Sequence, residues 1–135
     1  MHSFELAAKR GVDVRIFVPG IPDKKIIYMM TKQSYEPLLK AGVKIYEYTP
    51  GFIHAKEMIA DNDKAIISTV NLDYRSMIHN FECGVYLYND ETINDMYNEY
   101  LDVIEDCREV DIKDCKVKWY VSLFRKSVSF LAPLL

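Results

Sequence analysis

Residues 52–68, Phe52-Ile53-His54-Ala55-Lys56-Glu57-Met58-Ile59-Ala60-Asp61-Asn62-Asp63-Lys64-Ala65-Ile66-Ile67-Ser68, hold two runs of strand-forming side chains on either side of a polar break. Phe52 to Ala60 reads as one strand, Asn62-Asp63 as the turn and Ala65 to Ser68 as its partner, because Asn and Asp tolerate the left-handed backbone that tight hairpins need. A hairpin this short cannot bury its own apolar side chains, so the rest of the chain must supply cover.

Working outward, Ser3 to Arg10 has helical spacing and stops at Gly11, and Val12 to Val18 then alternates as a strand. Pro19-Gly20-Ile21-Pro22-Asp23 is turn chemistry. Lys25 to Ala41 reads as a helix broken near Thr31 and Lys32 and closed by Gly42, and Val43 to Tyr48 follows as a strand. Beyond the hairpin, Asn71 to Asn80 fits a loop or a short helical turn, and Glu82 to Tyr88 a strand rich in β-formers. With Asn89 or Asp90 as cap, Ile93, Met96, Tyr97, Tyr100, Leu101 and Ile104 fall on one helical face, suited to covering a sheet. No repeat breaks the alternation of helices and strands, which predicts the α/β class with a mixed sheet.

The chain has 135 residues, half of them apolar, enough for one core. A net charge of −3 gives no global basic field, which disfavours a nucleic-acid partner. Cys83, Cys107 and Cys115 match neither zinc-knuckle spacing nor a disulfide framework and read as reduced thiols. The first residues lack the apolar core and cleavage site of a secretory signal, and no run reaches the roughly 20 apolar residues that cross a bilayer.

On a regular strand, His54 and Lys56 leave the same face, while Ala55 and Glu57 leave the other. An imidazole beside an ammonium suits phosphoryl chemistry: neutral histidine attacks phosphorus, and lysine stabilises charge on the non-bridging oxygens. Neither role calls for a metal or an organic cofactor. Histidine, whose unperturbed pKa is about 6.5, is largely neutral near pH 7.

Phe52-Ile53-His54-Ala55-Lys56 followed by Asp61 gives H-x-K-x-x-x-x-D, and downstream come Ser68-Thr69-Val70-Asn71-Leu72-Asp73-Tyr74-Arg75-Ser76 and Asn80-Phe81-Glu82. With the lead-in Ala8-Lys9-Arg10-Gly11-Val12-Asp13-Val14-Arg15, these blocks resemble bacterial cardiolipin synthases of the phospholipase D superfamily, specifically the C-terminal of their two motif-bearing halves. The resemblance implies a phospholipase D-like mixed sheet flanked by helices, one half of a two-motif bilobal enzyme. It implies that His54 is a nucleophile or general acid, that Lys56, Thr69 and Asn71 bind phosphate oxygens, and that Glu82 accepts from the far imidazole nitrogen. Asp61 belongs to the motif but falls at the hairpin turn, where a structural role is expected. Ser68-Thr69 departs from the family's Gly-Ser and puts a side chain where backbone would approach phosphate.

His2 and His79 have no lysine two residues later, so a second motif must come from a preceding segment or from a second copy of the chain. The expected organisation is a catalytic domain over residues 1–110 and a tail over 111–135. In that tail Lys113, Lys116, Lys118, Arg125 and Lys126 alternate with Trp119, Tyr120, Phe124 and Phe130. Such a basic amphipathic segment fits either an anionic membrane surface or the protein core. The activity implied is phosphatidyl transfer between two phosphatidylglycerol molecules at the bacterial cytoplasmic membrane. The rivals are a homodimeric single-motif phosphodiesterase or nuclease and an idle membrane-binding half-domain.

Overall fold

The computed structural model describes residues 1–21 and 25–115, which fall into two compact units. The first unit begins with helix α1 (His2–Lys9), strand β1 (Arg15–Pro19), helix α2 (Lys25–Ala41) and strand β2 (Lys44–Tyr48). Strand β6 (Cys107–Glu109) and a one-turn 3-10 helix at Ile112–Cys115 complete it. Strand β1 pairs parallel with β2, and β2 antiparallel with β6, so this sheet is mixed, in the order β1-β2-β6. Gly11 and Gly42 take φ of 91° and 97°, the left-handed turn that lets each helix hand over to its strand. Tyr35, Leu38, Val43, Ile45 and Val110 form the core, with Phe4, Ala8 and Ile16 packed against it.

Helix α2 is continuous where a break near Thr31 and Lys32 was expected. The polar pair looked like a breaker, but Lys32 reaches the Glu47 carboxylate at 2.6 Å, so its polarity is used inside the fold. Strand β6 has no counterpart among the expected elements. Its three residues are too few for an alternation pattern, and it is held by pairing with β2.

The second unit holds strands β3 (Glu57–Ala60), β4 (Lys64–Ser68) and β5 (Gly84–Tyr88) with helices α3 (Tyr74–Ile78) and α4 (Thr92–Glu105). All pairings are antiparallel, in the order β3-β4-β5. Ile59, Ala65 and Leu87 lie side by side across the three strands and pack against Ile93 and Met96 of α4, so α4 covers that face as the periodicity predicts. Asp90 caps the helix through a 2.9 Å bond from the Thr92 N–H. On the opposite face Met58, Ile66 and Tyr86 form an exposed apolar row.

Two expectations about the hairpin need correction. The turn centres one residue early: Asp61 and Asn62 take φ of 54° and 57°, and Asp63 N–H closes it on the Ala60 carbonyl. Strand β3 begins only at Glu57, not at Phe52. The partner β4 ends at Ser68, whose N–H still bonds the Lys56 carbonyl at 2.9 Å, so residues before Lys56 have no opposing strand to pair with. The basic tail expected at 111–135 lies outside the described residues from 116 onward.

Candidate active site

Because β3 starts late, His54 and Lys56 stand on the segment leading into it, and strand alternation does not set their directions. His54 is exposed, and its carbonyl accepts a 2.6 Å bond from Lys56 Nζ. Past the end of β4, the chain stays in register with the residues entering β5: Thr69 N–H bonds the Cys83 carbonyl at 3.0 Å. This pairing sets Thr69 against Glu82. The Thr69 hydroxyl donates to the Glu82 carboxylate and accepts from the Cys83 N–H at 3.2 Å. A hydroxyl has one proton, so in this conformation Thr69 serves the carboxylate.

Helix α3 supplies the rest. Asp73 caps it, accepting from the Ser76 N–H at 2.7 Å, and the turn so fixed buries the Ser76 side chain. Asn71, exposed just before the helix, donates from its amide to Ser76 Oγ at 3.3 Å. Asn80, after α3, donates to the other Glu82 oxygen at 3.1 Å. The Thr69 hydroxyl, then the Asn80 amide, the Ser76 hydroxyl and the charge of Lys56 hold the Glu82 carboxyl below the usual carboxylate range. Glu82 is therefore anionic at neutral pH, as a group that stabilises a developing imidazolium must be.

Of the residues singled out in the sequence, Thr69 and Glu82 are joined by a hydrogen bond and Lys56 bears on Glu82 through its charge, while Asn71, in the same unit, bonds Ser76. Asp61 stands at the opposite end of β3, in the hairpin turn. Ser76 and Asn80 were quoted in the motif blocks without a role, and their part depends on the folding of α3. Glu57, on the sheet face under α4, is pushed up by burial and by the Glu99 carboxylate, so it faces away from this cluster. Among the described residues no group of three or more His, Cys, Asp or Glu side chains is gathered to hold a metal ion.

The α/β fold is that of a phospholipase D-like domain. The family model described as cardiolipin synthase, PLD-like domain, matches residues 1–104, and the chain belongs to that family. A Streptococcus mutans protein described as uncharacterized is 46% identical over 99% of this chain and 29% of its own length. The cardiolipin synthase of Halalkalibacterium halodurans is 36% identical over 100% of this chain and 27% of its own length. The cardiolipin synthase 2 of Bacillus anthracis is 35% identical over 100% and 26%. The chain thus spans just over a quarter of these relatives. Among solved structures, Nuc of Salmonella typhimurium, a phospholipase D family member, matches with a TM-score of 0.64 at 21% identity, covering 78% of this chain and 69% of that one. At that identity the match speaks for the fold.

Proposed function

We propose that the chain supplies one of two His-Lys motifs for phosphatidyl transfer. In this reading one imidazole attacks the phosphorus of a phosphatidylglycerol, forming an N–P bond as the P–O bond to glycerol breaks, while the histidine of the other motif gives its proton to the departing glycerol oxygen. The hydroxyl of a second phosphatidylglycerol then attacks the phosphohistidine, losing its proton to that same second histidine, and cardiolipin leaves. His54 takes one of the two histidine parts. Lys56 and Asn71 bind the non-bridging oxygens, and Glu82 orients the imidazole and offsets its charge. The companion motif comes from a preceding segment of a longer chain or from a second copy.

The observation that carries the reading is the convergence on Glu82, whose carboxylate takes bonds from Thr69 and Asn80 and feels the charge of Lys56. The named cardiolipin synthases aligned over the full length of this chain support the choice of substrate. A phospholipid substrate places the working enzyme at the bacterial cytoplasmic membrane. Among the described residues no helix is long and apolar enough to cross a bilayer, so this part of the enzyme would meet the lipid at its surface.

The test uses phosphatidylglycerol vesicles labelled at phosphorus, with the chain alone and with the chain joined behind the preceding part of a cardiolipin synthase relative. The expected result is cardiolipin from the joined protein, and an acid-labile phosphohistidine that disappears when both motif histidines are replaced. Release of headgroup alcohol to water without cardiolipin would transfer the assignment to a phosphodiesterase. Vesicle binding that survives His54→Ala, with no turnover in the joined protein, would transfer it to a membrane-binding module.

A further inference from the structure

Two donors reach Glu82 from different elements. Thr69, in the chain leaving β4, donates its hydroxyl proton to one carboxylate oxygen, and Asn80, in the chain leaving α3, donates an amide proton to the other at 3.1 Å. Each donor is held by backbone bonds of its own. The Thr69 N–H bonds the Cys83 carbonyl at 3.0 Å and its Oγ1 accepts from the Cys83 N–H at 3.2 Å, while the Asn80 N–H bonds the Arg75 carbonyl at 3.1 Å. The Cys83 carbonyl also lies 3.3 Å from the Thr69 hydroxyl, but it already takes the Thr69 N–H, and the anionic carboxylate is the nearer and stronger acceptor. The single hydroxyl proton is thereby committed to Glu82. What remains on the oxygen is lone pairs, which have nothing to offer an acceptor-only phosphate oxygen.

We infer that Thr69 and Asn80 are a pair of positioning residues, one on each oxygen of the Glu82 carboxylate, and that Thr69 is committed to this task and not to phosphate. This rests on the role proposed above for Glu82 as the partner of an imidazole. A glutamate side chain is long and freely jointed, so one bond would fix an oxygen and leave the carboxylate to swing about it, whereas a second bond on the other oxygen fixes its plane. Each oxygen has about two lone-pair sites, so one donor apiece leaves a place for an imidazole N–H. Lys56 bears on the same carboxylate through its charge, with its ammonium bonded to the His54 carbonyl at 2.6 Å. This division leaves Lys56 and Asn71 as the donors to phosphate and departs from the part that the motif suggests for Thr69.

The test follows the Glu82 carboxyl carbon by NMR in the full chain through a pH titration, with a separate titration by inorganic phosphate. Thr69→Val keeps the branched shape and removes the hydroxyl, so the Glu82 titration should move upward. Its phosphate dissociation constant should stay within about twofold of the parent, whereas Asn71→Ala should weaken phosphate about tenfold, the loss of one well-placed hydrogen bond. Thr69→Ser keeps the hydroxyl and should return Glu82 to the parent titration, a rescue that a merely structural role would not give. Asn80→Ala should also move Glu82 upward, and the Thr69→Val, Asn80→Ala double variant further than either. Both positions are exposed, so circular dichroism should be unchanged, and if the valine variant does not fold, Thr69→Ala and Asn80→Ala decide the matter. A folded variant at either position with the Glu82 titration unmoved overturns the pair. A loss of phosphate affinity in Thr69→Val as large as that in Asn71→Ala, restored by serine, makes Thr69 a phosphate donor and overturns its assignment. Failure of the unmodified chain to bind phosphate rejects the proposed phosphate site instead, and the pair is then judged on the Glu82 titration.

Discussion

Gly84 lies against Ser68 so closely that a β-carbon added to it would stand 2.8 Å from the Ser68 β-carbon and 2.9 Å from the Ile67 carbonyl oxygen. The two residues are paired at the end of the β4–β5 ladder, immediately before Thr69 and after Cys83. This close approach brings Thr69 against Glu82. The contacts are to backbone and to a β-carbon, neither of which can swing aside. Gly84→Ala should therefore cost about 1–3 kcal/mol by overpacking. It should also pry Thr69 from Glu82, seen as a displaced Glu82 carboxyl resonance alongside a lower urea midpoint.

Glu47 is 3% exposed, yet it is an acid with four partners: Lys32 at 2.6 Å, Arg108 at 2.8 Å and the phenols of Tyr28 and Tyr35. Burial works to raise its pKa, and the bonds from Lys32 and Arg108 outweigh it, holding the carboxyl below the usual range. A depressed carboxylate stabilises the fold above its unfolded pKa, about 4.3, and that stability fades as pH falls through the folded value. Glu47→Gln should cost about 2–3 kcal/mol at pH 7, since it strips the counter-charge from two cations, one of them half exposed. Because the variant lacks the titrating group, the gap to the parent should narrow as unfolding is repeated toward pH 3. A constant gap would show that the carboxylate contributes no charge-dependent stability.

The fold class and α4 were legible because they rest on repeating patterns: Ile93 and Met96 recur at helical spacing and do cover Ala65. The site was legible as a set of residue types and only partly as geometry. The start of β3 depends on where β4 ends, which no local pattern around His54 and Lys56 records. The burial of Ser76 depends on a five-residue helix nucleated by the Asp73 cap, and the isolated sequence Tyr74–Ile78 is too short to signal a helix by periodicity. Lys32 misled for the opposite reason: a charged residue that finds a buried partner is indistinguishable in sequence from one that ends a helix.

Ile93 is fully buried and, with Ala65 and Met96, makes up the buried core of the second unit. A core this small has few neighbours to close over a void. Ile93→Ala should cost about 2–4 kcal/mol, read as a lower denaturant midpoint and faster amide exchange in β4 and α4.

Glu57 is displaced in the other direction from Glu47. Burial first, and the Glu99 carboxylate second, raise its pKa, so the folded chain favours the protonated acid. Such a group opposes folding once it ionises, and the opposition is relieved as pH falls through the folded value toward the unfolded one. Glu57→Gln should be more stable than the parent at pH 7 and lose that advantage near pH 4. Equal midpoints across the range would mean that the carboxylate is solvated after all.

Lys56 is the cation whose charge Glu82 feels, and its ammonium is at present bonded to the His54 carbonyl at 2.6 Å. A backbone carbonyl is a weak partner for an ammonium compared with a phosphodiester, which carries a full negative charge on its non-bridging oxygens. An arriving phosphate should draw Lys56 from His54. Lys56→Met keeps the length of the side chain and removes the charge, so it should slow phosphatidyl transfer in the joined protein about 100- to 1000-fold, the usual loss for one charge-stabilising donor. Lys56→Arg retains the charge with a planar, bulkier donor and should recover only part of the rate. The decisive measurement is single-turnover formation of the phosphohistidine. If the methionine variant forms it at the parent rate, Lys56 does not touch the transferring group and the phosphate must be held by other residues.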